Sequence, residues 1–124
     1  MSQIHNSHTA FTLLKDRFNE FCEEFWLINL NTKLEVKNLK LISRGTLNFC
    51  LVHPRDLFRE ALLANSYAII IAHNHPSGDV QPTDEDIILT KKLVKISKTI
   101  EIPLLDHIVF SDRLYFSFKE KNLL

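Results

Sequence analysis

Cysteine is scarce in this chain. Cys22 and Cys50 are the only two, and no CxxC pair occurs. That count serves neither a disulfide scaffold nor a thiolate zinc site, and two free thiols suit a reducing cytosol. No apolar run approaches the ~20 residues that span a bilayer. The polar start, Met1 to Thr9, lacks the basic-then-apolar pattern of a signal peptide. A cytoplasmic protein without a membrane partner is the expectation. Neither sign of charge is in excess, since Lys+Arg and Asp+Glu each count 15. Proteins that bind nucleic-acid backbone ordinarily carry a basic excess or stripe, so direct nucleic-acid binding is not expected. Lys91, Lys92, Lys95 and Lys98 share one helical segment and read as a solvated face. Repeats, linkers and low-complexity stretches are also missing.

What is present fits one globular domain. The 124 residues are 45% apolar and 24% charged, and nine Phe with one Trp supply bulky core material. Phe11, Leu14, Phe18 and Phe21 recur at helical spacing and predict an opening helix over 8–21. Phe25 to Leu30 reads as a buried strand, with a turn at Asn31-Thr32-Lys33 and a returning strand from Leu34 to Ile42. Gly45 breaks that strand, and Thr46 to Val52 reads as a third. Pro54 opens a helix that runs to Ala64. Tyr67 to Ala72 is an unbroken apolar run, as in a central strand covered on both faces. Pro76 to Pro82 is loop. Thr83 is placed as an N-cap, with Asp84, Glu85 and Asp86 in the first turn of a helix reaching Ile100. Leu104–Phe110 and Leu114–Phe118 form a closing hairpin. Strands and helices interleave, which gives a mixed α/β domain with a central mixed sheet flanked by helices.

One constellation carries chemistry. His73 and His75 stand two apart at the end of the apolar strand, so both imidazoles face one side. Asp86 follows eleven residues later, inside the next helix, and the loop is long enough to bring it back to the strand end. Two neutral imidazoles and a carboxylate are a three-ligand set for zinc that leaves one coordination position open. A structural zinc site usually has four protein ligands, and no obvious fourth exists here. The competing reading makes His-x-His a polar rim and Asp86 a complement to the helix dipole. Asp106-His107 interrupts an apolar strand, so one of the two must face a polar region. A place behind a ligand imidazole is one such region. His53, beside Pro54, reads as structural, and Ser77 as a residue that orders its loop.

His73-Asn74-His75-Pro76 followed by Thr83-Asp84-Glu85-Asp86 resembles the JAMM (MPN-type) metalloprotease pattern, His-x-His-Pro and then Ser-x-x-Asp. The wider text resembles the RadC family. The matching stretches are Glu23-Glu24-Phe25-Trp26, Gly45-Thr46-Leu47, Val52-His53-Pro54-Arg55, His73 to Asp79, Leu104-Leu105-Asp106-His107 and Tyr115-Phe116-Ser117-Phe118, which cover nearly the whole chain. The resemblance implies an MPN-like (cytidine-deaminase-like) fold and a Zn2+ ion held by His73, His75 and Asp86. It implies hydrolysis of a protein or peptide substrate, with a Glu upstream as general base. That Glu maps to Glu23. Glu24 is its competitor and points to the opposite face by strand alternation. The family serine that assists the oxyanion maps to Thr83, which keeps the hydroxyl. Because RadC proteins are associated with DNA repair, a non-catalytic accessory role in DNA metabolism is the alternative. Many family members carry a further N-terminal helical domain, and this chain starts almost at the metalloprotease-like part, which lowers the expectation of direct DNA binding.

Overall fold

A computed structural model describes residues 2–124. Its elements are α1 (Ser7–Leu14), β1 (Glu24–Leu30), β2 (Val36–Arg44), α2 (Pro54–Leu63), β3 (Ala68–Asn74), α3 (Asp84–Ile100), β4 (Leu104–Phe110) and β5 (Tyr115–Ser117). The five strands form one mixed sheet in the order β2-β1-β3-β4-β5. Only β3 and β4 run parallel, joined by the α3 crossover; the other pairs are antiparallel. β3 sits at the centre, buried at every residue, as its unbroken apolar run requires.

Each sheet face covers its own core. On one face Phe25, Leu27, Ile69, Ile71 and Leu104 pack with Leu57, Phe58 and Ala61 of α2 and Leu93 of α3. On the other, Ile28, Leu30, Ile70, Ala72, Ile108 and Phe110 pack with Ala10, Phe11 and Leu14 of α1. The result is three layers, α1 over the sheet over α2 and α3. No helix among the described residues is long and apolar enough to cross a membrane. Lys91, Lys92, Lys95 and Lys98 are all exposed, as a solvated face would be.

Two sequence expectations are corrected. The opening helix does not reach Phe21. It stops at Leu14, followed by a 3-10 turn over Lys15–Arg17. The Asn19 side-chain oxygen then accepts from the main-chain N–H of Phe21 and Cys22, a local alternative to helical bonding that turns the chain towards β1. Phe21 is left 78% exposed instead of facing the core. The stretch Thr46 to Val52 is not a strand. Thr46 N–H donates to the Phe49 carbonyl at 2.6 Å, so the chain folds back on itself. Gly45 makes the return possible, because a Cβ there would lie 1.9 Å from the Phe49 oxygen. The loop leaves Leu47, Phe49 and Leu51 exposed.

A bulge in β4 decides which side chains reach each core. Ile69 pairs with Leu104 but Ile70 pairs with Asp106, so Leu105 is the extra residue. Leu104 and His107 therefore share the α2/α3 face, and Asp106 turns to the α1 face. There its carboxylate accepts from Ser7 Oγ and Ser117 Oγ at 2.7 Å each, and from the N–H groups of His107 and Lys119. A buried carboxylate with four donors is satisfied, and it ties α1, β4 and β5 together.

Candidate metal centre

The end of β3 delivers His73, and the residue two further on delivers His75. Both are buried, at 2% and 8% exposure. Asp86 arrives from the first turn of α3. His73 Nε2 and His75 Nε2 are 3.1 Å apart. His73 Nε2 is 3.3 Å from Asp86 Oδ1, and His75 Nε2 is 3.2 Å from Asp86 Oδ2. A tetrahedral zinc with bonds of about 2.05 Å separates its ligand atoms by about 3.3 Å. The three side chains thus converge, each imidazole facing a different Asp86 oxygen, at separations near those of a zinc ligand set. Their chemistry fits as well. The His75 Nδ1 lies 2.8 Å from the Asp79 carbonyl oxygen, which can only accept, so Nδ1 carries the hydrogen and Nε2 presents a lone pair.

Asp86 is oriented by reciprocal capping. Its Oδ2 accepts from Thr83 N–H at 2.8 Å, and its own N–H donates to Thr83 Oγ1 at 3.1 Å. Thr83 therefore caps α3 as the sequence predicts, with its hydroxyl hydrogen left over. Burial alone would raise the Asp86 carboxyl, but hydrogen bonding with the imidazoles of His73 and His75 holds it well below the usual carboxylate range. Burial pulls His75 down, and the hydrogen bonds to Asp86 and to the Asp79 carbonyl outweigh it, leaving His75 above its ordinary value.

Glu23 reaches the same point from just before β1. Its Oε1 is 4.0 Å from His75 Nε2. The main chain of Glu23 is fixed on both sides, donating to the Thr46 carbonyl and accepting from Gly45 N–H. Burial, opposed by the nearby imidazoles, raises its carboxyl above the ordinary value. Glu24 points the other way and is held by Arg44 at 2.7 Å. The two carboxylates thus point to opposite sides of the strand start. Glu23 and Thr83 lie on both of two adjoining cleft lobes, about 420 and 330 Å3. His75 and Pro76 line the first, and Phe49, Leu51, Asp86 and Leu89 the second. A larger cleft of about 610 Å3 at Arg17, Trp26 and Arg44 contains none of these residues except Glu24, which faces away from the metal position.

A family model described as RadC-like JAB domain matches residues 4–123. The chain belongs to the RadC family. Similar RadC-family proteins agree in extent. A UPF0758 protein of Alkaliphilus metalliredigens is 49% identical over 123 residues, covering 98% of this chain and 53% of the relative. One from Clostridium acetobutylicum is 42% identical over 123 residues, at 98% and 54% coverage. One from Moorella thermoacetica is 44% identical over 122 residues, at 98% and 53%. The chain spans about half the length of the curated RadC relatives it matches.

Three contributors to this RadC site were not singled out from the sequence. Asn74, between the two histidines, points away from them, accepts from Glu24 N–H and donates to the carbonyls of Asn19 and Cys22. Thr90 sits one helical turn after Asp86, a spacing that already placed it on the same face. Its hydroxyl donates to the Asp86 carbonyl at 2.7 Å. Asp79 acts through its main chain, which leaves no trace in side-chain type. His107 takes the place behind a ligand imidazole, with Nε2 2.8 Å from His73 Nδ1. Burial holds the His107 ring well below its usual value, hence neutral.

Proposed function

We propose that this RadC domain is a zinc-dependent hydrolase of amide-type bonds, acting on a protein or peptide substrate. The carrying observation is the Glu23 carboxylate beside the three convergent atoms of His73, His75 and Asp86. A bound zinc would supply Lewis-acid polarisation of a carbonyl and ease the ionisation of water. Glu23 accepts a proton from the attacking water as its oxygen bonds to the carbonyl carbon. It returns that proton to the nitrogen as the C–N bond breaks. Its raised affinity for a proton, caused by burial, suits a group that must both take and give one. Thr83 places a hydroxyl at the rim of both cleft lobes, and its free hydrogen is available to a developing oxyanion.

The test uses zinc-loaded protein with a panel of peptides and isopeptides. Cleavage that disappears on chelation, returns with zinc, and is lost in Glu23→Gln supports the reading. Cleavage that persists through chelation sinks it.

A further inference from the structure

We infer that Thr90 and His107 form a positioning relay that fixes the tautomer of His73 and keeps its Nε2 lone pair turned to the metal position. The inference rests on the metal-site reading above, not on hydrolysis.

The relay follows from counting hydrogens along a buried chain. The Asp86 carbonyl oxygen can only accept. Thr90 Oγ1 is 2.7 Å from it and so spends its single hydrogen there. Thr90 Oγ1 is also 2.6 Å from His107 Nδ1. With no hydrogen left to give, the hydroxyl accepts, and His107 carries its proton on Nδ1. A fully buried imidazole between aromatic rings is neutral, since nothing there solvates a charge. His107 Nε2 is then an acceptor, and the group 2.8 Å away, His73 Nδ1, must donate. With that hydrogen on Nδ1, Nε2 is the atom left to offer a lone pair to a metal, and it is the atom that faces His75 and Asp86. Each assignment forces the next.

Among the described residues the His107 ring has no other hydrogen-bond partner. Its ring stacks on Phe118 at 4.6 Å and lies against Phe25 at 5.8 Å. The β4 bulge at Leu105 puts it under His73 rather than in the α1 core. The relay also starts on the main chain of Asp86 and ends on His73, so it couples the strand that carries one ligand to the helix that carries another. His75 is locked separately, by the Asp79 carbonyl.

The test compares Thr90→Val, nearly isosteric but without the hydroxyl, with Thr90→Ser, which restores it. Zinc affinity is read by competition with a chelator, and imidazole tautomers by 15N NMR of the zinc-free protein. Wild type should show His107 and His73 both protonated on Nδ1. Thr90→Val should disturb that pattern and weaken zinc binding by about tenfold or more, and Thr90→Ser should retain both. Ser117→Ala, which removes a donor to Asp106 on the other face of β4, controls for general loosening. It should lower stability without moving either readout. Zinc affinity unchanged in Thr90→Val, or a wild-type His73 with no proton on Nδ1, overturns the relay while leaving the metal site standing. A wild-type protein that binds no zinc overturns both.

Discussion

Asn74 holds the start of β1 through Glu24: its side-chain oxygen accepts from Glu24 N–H at 2.8 Å, and its amide nitrogen donates to Asn19 and Cys22 carbonyls at 2.6 and 3.1 Å. The residue between His73 and His75 therefore anchors, from the opposite face of β3, the segment that bears Glu23. Asn74→Ala strips partners from buried main-chain groups and should cost about 2 kcal/mol or more in urea unfolding. It should also depress turnover more than zinc affinity, because it loosens Glu23 and leaves the three ligand side chains in place.

Glu23→Gln should separate binding from chemistry. The amide keeps the shape but accepts no proton. Chelator competition should show near wild-type zinc affinity, with turnover reduced on the order of 100-fold or more.

Acidity should act on the apoprotein and on zinc binding in opposite directions. His75 is raised above 6.5, so its attraction to Asp86 stabilises the apoprotein below that value and is lost as pH rises through the folded value. Asp86 is lowered from 3.8, so its contribution is present above that and is lost as pH falls towards the folded value. Between the two the pair stabilises most. Zinc needs the His75 proton gone. Its affinity should be flat above the raised value and fall by about tenfold per pH unit below it. Thermal melts with and without zinc, from pH 5 to 8, check both signs.

Gly45→Ala should disturb the cleft from outside the ligand set. The added methyl meets the Phe49 carbonyl oxygen and Cys50 Cα at 1.9 and 2.6 Å, both main-chain atoms that cannot swing aside. The loop bearing Phe49 and Leu51 must shift. The expected outcome is weaker substrate binding, seen as raised KM, with zinc affinity retained.

Thr83→Ala removes the acceptor for Asp86 N–H and should cost about 1 kcal/mol as a lost N-cap. Thr83→Ser should recover stability and turnover together, because serine keeps the hydroxyl that both roles use.

Much of this protein was legible in its sequence. A short unbroken apolar run fits a strand covered on both faces, and β3 is that strand. Histidines two apart on its end must share a face, and a threonine followed by three acidic residues starts a helix. Those local rules place His73, His75, Thr83 and Asp86, and alternation separates Glu23 from Glu24. Other features depended on contacts that periodicity does not report. Helical spacing promised a helix through Phe21, but it stops at Leu14, and Asn19 and Asn74 hold the following segment in a non-helical path. Apolar residues from Thr46 to Val52 promised a strand, and the close return onto Gly45 made it a loop at the cleft. Periodicity could not say which of Asp106 and His107 lies behind His73, because a one-residue bulge resets the alternation. The sequence by itself determined which side chains of metal-binding type share a face, since spacing and covalent geometry fix that. Only the tertiary structure decided where α1 ends, what walls the cleft and which residue lies behind His73, because each depends on particular side-chain and main-chain contacts that spacing does not encode.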